Sequence, residues 1–289
     1  MSTNTPPIQK DRIFVGIACV CVAFFMFTAM QAVSKTMMDR HHVVEFVFWR
    51  NLLAAVPMTV FIFWRKRFDL FRTHMPRAMF FRVVVGTFGM IATIAAVEHL
   101  PMANATVLFF TATLITPVAA HFVLKEHIGI HRWIAVAVGL CGVLLIAQPS
   151  IEFAFLGVVF GLIAASAHSF VHITLRYMRS ENPITVIYYF FAGGAVIAGL
   201  FLPFVGHMPA MADIPWFLLI GLTGGLGQYF LTVGFRSAPA SVLNPFNYTG
   251  LIWATGFDIV LFHYLPSWHV YAGAGIIFAA YLYILYREK

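Results

Sequence analysis

Three residues that can carry charge or a proton recur at four-residue spacing in "HSFVHITLRYM": His168, His172 and Arg176. At about 100° per residue, this spacing places them on one stripe of a helix, each about one turn from the next. The surrounding "FGLIAASAHSFVHITLRYM" is otherwise apolar and small. An imidazole in such a setting needs a polar partner or water, and its charge changes near physiological pH. His168 is therefore a candidate for proton coupling, with His172 beside it. Arg176 ends the stripe, where a long side chain can snorkel to a headgroup region. Two histidines one turn apart could share an ion, but only two ligands are visible and no metal site is expected.

A second charge stands in "FVFWRNLLAAVP" (46–57), where Arg50 lies about seven residues, roughly 10 Å, inside an apolar run. A guanidinium at that depth needs a partner. Glu45 or Asp258 could form a structural ion pair with it. Alternatively Arg50 belongs to a gate pair that breaks on opening, or anchors a substrate carboxylate or phosphate. Ser166 and Ser169 flank His168, yet no third orienting group and no H-E-x-x-H motif accompanies them, so no enzyme is expected. Cys19, Cys21 and Cys141 sit in apolar runs without disulfide or zinc spacing and read as inert thiols.

The elements that must hold these residues follow from composition. The chain of 289 residues is 61% hydrophobic and 10% charged, whereas a soluble domain is nearer half apolar and a quarter charged. About 20 apolar residues are needed to cross a bilayer core of roughly 30 Å. Ten runs qualify: 13–34, 43–64, 79–97, 102–124, 133–148, 155–177, 183–205, 215–235, 240–262 and 268–286. The first exceeds a signal-peptide apolar region and lacks a small-residue cleavage motif, so it is read as a retained span. The spans are separated by "RKRFDLFRTHMPR", "KEHIGIHR", "RSENP", "VGHMPAMADIP" and "RSAP". With both termini in the cytoplasm, all but three of the 18 Lys and Arg fall in cytoplasmic segments. Lys35 and Arg40 lie outside, and Arg50 lies within a span. A charge spread over loops on one membrane face gives no groove for nucleic acid.

The two halves repeat. "GIACVCVAFFMFTAMQAVSKTM" (16–37) aligns with "GVVFGLIAASAHSFVHITLRYM" (157–178), placing Gln31 on His172 and Lys35 on Arg176. "MANATVL" (102–108) likewise aligns with "APASVLN" (238–244). Five spans per repeat is odd, so the second repeat enters the membrane inverted. That plan places a substrate site near the midplane between the repeats. The expected fold is thus an all-α membrane protein of ten transmembrane helices, with residues 1–150 as one repeat and 151–289 as the other.

Three stretches, "FVFWRNLLAAVP" (46–57), "LITPVAAHFVLKEHIGIHRWIAVAVGLCGVLLI" (114–146) and "APASVLNPFNYTGLIWA" (238–254), carry a resemblance. Together with the repeat, they make the chain resemble the EamA branch of the drug/metabolite transporter superfamily over essentially its whole length. One departure is visible. The first half keeps the family's acid as Glu126, while the second half reads "LFHYLPS", with His263 and Tyr264 in its place. The resemblance implies a central cavity lined by spans 3, 4, 8 and 9, with spans 1, 2, 6 and 7 as gates. In those spans the polar candidates are Gln228, Tyr229, Asn244, Asn247, Tyr248, Trp253 and Asp258, with Asn104, Thr111, Thr113 and Thr116 on span 4. Asn244, Pro245 and Asn247 suggest a locally opened helix with freed carbonyls. The family implies a secondary transporter in the bacterial inner membrane, moving a small organic metabolite by alternating access. The third stretch looks most like transporters of S-adenosylmethionine or riboflavin. A flippase for a lipid or lipid-linked headgroup is the alternative on the same fold. No cofactor is expected; with no ATP-binding domain, active transport would draw on a gradient.

Overall fold

A computed structural model describes residues 13–112, 114–116, 130–147, 152–178, 180–207, 209–237 and 243–287. Ten α-helices are defined among them: α1 (Ile13–Thr36), α2 (Val43–Trp64), α3 (Pro76–His99), α4 (Met102–Phe110), α5 (Ile130–Ala147), α6 (Glu152–Tyr177), α7 (Pro183–Val205), α8 (Ile214–Ser237), α9 (Thr249–Phe262) and α10 (Trp268–Arg287). Six of the described helices, α1, α2, α3, α6, α7 and α8, are long and apolar enough to cross a membrane. Glu126 and most of the expected span 102–124 beyond Thr116 lie outside the described residues.

Local chemistry sets several helix ends. His42 and Glu45 form a reciprocal capping box at the start of α2: the His42 ring accepts from Val44 N–H, and Glu45 accepts from His42 N–H. Asn182 caps α7 by accepting from Ile184 N–H at 3.0 Å, followed by Pro183, whose missing N–H costs nothing there. Pro76 opens α3 in the same way. Within the spans, hydroxyls bond back to the carbonyl four residues earlier, as Thr28, Thr87, Thr93, Ser166 and Thr174 do. A hydroxyl satisfied by its own helix can sit in an apolar layer without a partner across it.

The packing runs mainly between the first five helices and the last five. The pairs that cross between the halves include α1 with α8, α3 with α6, α2 with α7, α5 with α10 and α4 with α9. Adding or subtracting five turns α1–α8 into α6–α3 and leaves the last three pairs unchanged. Small residues permit the closest approaches. Gly89 on α3 faces Ala167 on α6, where an added Cβ would come within 2.6 Å of the alanine methyl; Gly227 on α8 faces the ring of Phe27 on α1. Other glycines are covered in the same way: Gly157 by Leu100, Gly161 by Leu108 and Gly221 by Leu53.

Around the proline of "NPFNY" the regular α-helix is interrupted, by a tightened turn rather than an opened one. Residues Asn244–Tyr248 form a 3-10 turn, and regular α-helix resumes only at Thr249. At the other end of α9, His263 adopts a left-handed conformation (φ 51°), and Tyr264 N–H bonds Asp258 O at 2.9 Å. This closes the helix where the first half carries its acid.

Candidate functional site

The deepest charges meet in the middle of the bundle. Arg50 on α2 is 2% exposed and donates from Nη1 to Asn51 Oδ1 at 3.0 Å. Its guanidinium lies 5.7 Å from the Phe190 ring centre and 5.3 Å from that of Phe191, both on α7. Arg82 on α3, 5% exposed, lies 4.3 Å from the same Phe190 ring. Two guanidiniums thus share one aromatic ring, a favourable cation–π contact that is not a counter-charge. Among the described residues, no carboxylate lies within ion-pair distance of either. Arg50 Nε, Asn51 Nδ2, Arg82 Nε and Arg82 Nη1 are all buried donors without an acceptor.

This arrangement corrects the expected ion pairs of Arg50, because both candidate acids are engaged elsewhere. Asp258 on α9 accepts from Met102 N–H at 3.0 Å and Ala103 N–H at 2.8 Å, capping the first turn of α4. Lys35 on α1 does the converse for α3, donating to Val97 O at 2.6 Å and Leu100 O at 2.5 Å. Each charge complements the helix end it touches, anion at an N-terminus and cation at a C-terminus. Lys35 therefore does not snorkel; it staples the break between α3 and α4. Asp258, expected among substrate or gating groups, holds the other side of that break.

Glu45 belongs to a bridge at one end of the bundle. Its Oε2 lies 2.7 Å from His41 Nδ1, and its Oε1 accepts from the backbone N–H of His42 and of His207. The other ring nitrogen of His41 lies 3.1 Å from Asp213 Oδ2, and Arg40 approaches Asp213 at 3.6 Å. The α1–α2 turn is so tied to the α7–α8 loop. At the far end of α2, Glu181 in the α6–α7 turn accepts from Thr73 Oγ1 at 2.9 Å and His74 N–H at 2.6 Å. Tyr189 O–H there donates to Phe71 O at 2.8 Å. Both bridges join the first half to the second.

The histidine stripe lies beside the arginines. His168 is half-buried, its Nε2 3.5 Å from Thr93 Oγ1 and its ring edge-on to Phe109. His172, one turn on, keeps an exposed surface. The side chain of Arg176 lies outside the described residues, as does that of Asn244.

The remaining candidates separate. Asn247 Oδ1 is buried without a partner, as is Asn104 Oδ1 on α4. Tyr248 packs its ring 4.3 Å from Phe110 and 4.7 Å from Phe278, a core contact between α4 and α10. Trp253 is partly exposed and lies edge-on to Phe25 of α1. Gln228 is half-buried on α8. Tyr229 falls on the exposed stripe of Leu218 and Leu222 rather than with the interior groups.

Arg82, Asn51 and Phe190 are the site residues that sequence reasoning missed. Arg82 was expected at a cytoplasmic span end. Starting the helix at the proline of "MPR" would have placed it six residues, roughly 9 Å, inside.

A bundle of long apolar helices with polar groups buried between its halves is the build of a helical membrane transporter. The EamA-like transporter family model matches residues 14–148 and again 155–286. The chain belongs to that family. A transporter of Helicobacter pylori of undefined cargo is 31% identical, the match covering 88% of each chain. A riboflavin transporter of Rhizobium johnstonii is 28% identical over 100% of this chain and 96% of its own. An S-adenosylmethionine uptake transporter of Rickettsia felis is 26% identical over 95% and 93%. A solved crystal structure superposes with TM-score 0.64 at 13% identity, covering 94% of this chain and 95% of that one, a likeness of fold. The family and these relatives are transporters, not enzymes.

Proposed function

We propose that the protein is a secondary transporter that carries a small organic metabolite across the bacterial inner membrane by alternating access. The observation that carries this reading is the buried polar cluster of the first half, Arg50, Asn51 and Arg82, set against the Phe190 and Phe191 rings of the second. Cargo sits between two inverted repeats, 1–150 and 151–289, a plan supported by the paired packing of α1–α8 with α3–α6 and by the family match to each half. The termini are cytoplasmic, so the His41–Asp213 bridge is extracytoplasmic and the Glu181 bridge cytoplasmic. His168 and His172 face the hydrated interface between the halves, and His168 is the proton-coupling candidate.

The test is uptake of labelled riboflavin and S-adenosylmethionine, the relatives' cargoes, into proteoliposomes. Saturable uptake of either, weakened by Arg50→Lys, is expected, because lysine keeps the charge but loses the planar fork. If uptake kinetics ignore Arg50→Lys while Arg50→Ala merely lowers expression, Arg50 is structural. Lateral release of a labelled lipid headgroup with no soluble uptake would instead identify a flippase.

A further inference from the structure

We infer that Arg50, Asn51 and Arg82 form a binding site for an acidic group, a carboxylate or phosphate, carried by the cargo. The inference rests on the transport reading and adds the chemical class of what is moved. Its basis is an imbalance of donors over acceptors. Four buried nitrogens of three adjacent side chains lack acceptors, and no carboxylate approaches the two guanidiniums. A buried cation without counter-charge or acceptors is costly, more so when a second lies against the same ring. An anion entering there would meet only donors. Arginine's fork suits the two oxygens of a carboxylate or phosphate, whereas chloride presents one point charge.

Glycines set the donors in place as well. Each donor group stands over a glycine. A Cβ at Gly194 would come within 2.5 Å of Asn51 Nδ2, one at Gly224 within 2.7 Å of Arg50 Nε, and one at Gly86 would overlap Arg82 Nη1. The glycines come from α3, α7 and α8, so the donors keep their positions only where three helices omit a side chain. Asn51 is fixed from the other side, its Oδ1 taken by Arg50 Nη1. That leaves its Nδ2 as a neutral third donor between the charges. Arg50 and Arg82 enter from helices running in opposite directions, so an anion between them would bridge α2 and α3 and offset the repulsion between the two charges.

The experiment uses the full chain, delipidated in neutral detergent at constant ionic strength with chloride as the background anion. Melting is followed while inorganic phosphate, citrate or the uncharged triethyl citrate is titrated. Phosphate or citrate should raise Tm saturably, by roughly 5 °C near saturation, and triethyl citrate should not. Arg82→Gln should abolish the rise and Arg82→Lys should reduce it. The baseline Tm of Arg82→Gln should equal or exceed the parent's, because an unpaired charge has been removed. A lowered baseline with the anion response intact would mean that the arginine is structural. An equal rise in parent and Arg82→Gln, or no rise with either anion, overturns the site. In a parallel arm, phosphatidylglycerol is added back; an Arg82-dependent rise with this lipid alone would assign the site to a headgroup and also overturn the proposal. Uptake of S-adenosylmethionine, which carries a carboxylate, by the same protein reconstituted into liposomes separates the two levels. If uptake persists while neither anion binds, the transport reading stands and the anion site falls. If anions bind through Arg82 and no solute is moved, the transport reading falls.

Discussion

The two bridges between the halves use a buried glutamate in opposite ways. At the end proposed to be extracytoplasmic, Glu45 and Asp213 close on the two ring nitrogens of His41, at 2.7 Å and 3.1 Å. Both nitrogens can donate only when the ring is an imidazolium. At the other end, Glu181 accepts from a hydroxyl and a backbone N–H, donors whose protonation does not change near neutral pH. One bridge is therefore conditional on a proton and the other is not. The same topological contact, a helix–helix turn clasping a loop of the opposite half, has been given a titratable clasp on one side only. A transporter that opened both ends at once would leak, and unlike clasps allow one condition to release one end.

The sharpest way to break this comparison is Glu45→Ala. Three donors lose their acceptor at once, so a loss of about 3–5 kcal/mol is expected, read as a lowered melting temperature of the purified protein. A change within error would show that the bridge is ornamental.

His41→Gln should cost less, about 1–3 kcal/mol, because glutamine still donates to one carboxylate. The informative readout is pH. Arg40 approaches Asp213, and Asp39, His42, Glu98 and His207 line the pocket beside the bridge. Relative to a free-thiol standard that corrects for thiolate formation, cysteine at exposed Met211 should label faster with a membrane-impermeant thiol reagent as pH rises in the parent, and should show no such excess in His41→Gln.

Glu181→Gln should cost only about 1 kcal/mol at any pH, since the amide oxygen still accepts from Thr73 and His74. A marked pH dependence there would erase the contrast. The smallest effect on folding is expected for His168→Gln, whose one polar contact is long. Its effect should appear in transport, as loss of dependence on an imposed pH gradient. Unchanged dependence would leave His168 a lining or packing residue.

Much of this was legible in the chain. Periodic apolar runs placed the helices, and "NPFNY" announced the break in span nine because a proline next to two asparagines disfavours a continuous ladder. Arg50 and His168 stood out because charge is expensive inside a span. What stayed hidden was who meets whom. Asp258 looked like a partner for Arg50, but an α4 start with free N–H groups was nearer, and no sequence pattern states that distance. Arg82 looked like a charge at the cytoplasmic end of a span, since its depth depended on where α3 begins. His41, an ordinary loop histidine by position, gained its meaning only from Asp213, 172 residues away.

The central claim, that the halves move against each other around mid-bundle cargo, is tested most directly by paired spin-label distances. One pair, at exposed Asp39 and Met211, reports the His41 end, and another, at exposed Arg72 and Ser180, reports the Glu181 end. Distances are measured in liposomes across pH, with and without riboflavin or S-adenosylmethionine, after replacing Cys19, Cys21 and Cys141. The expected result is that raising pH lengthens the first distance while the second stays short, and that every condition lengthening the second restores the first. Populations with both distances long together, or both fixed under all conditions, would contradict alternating access.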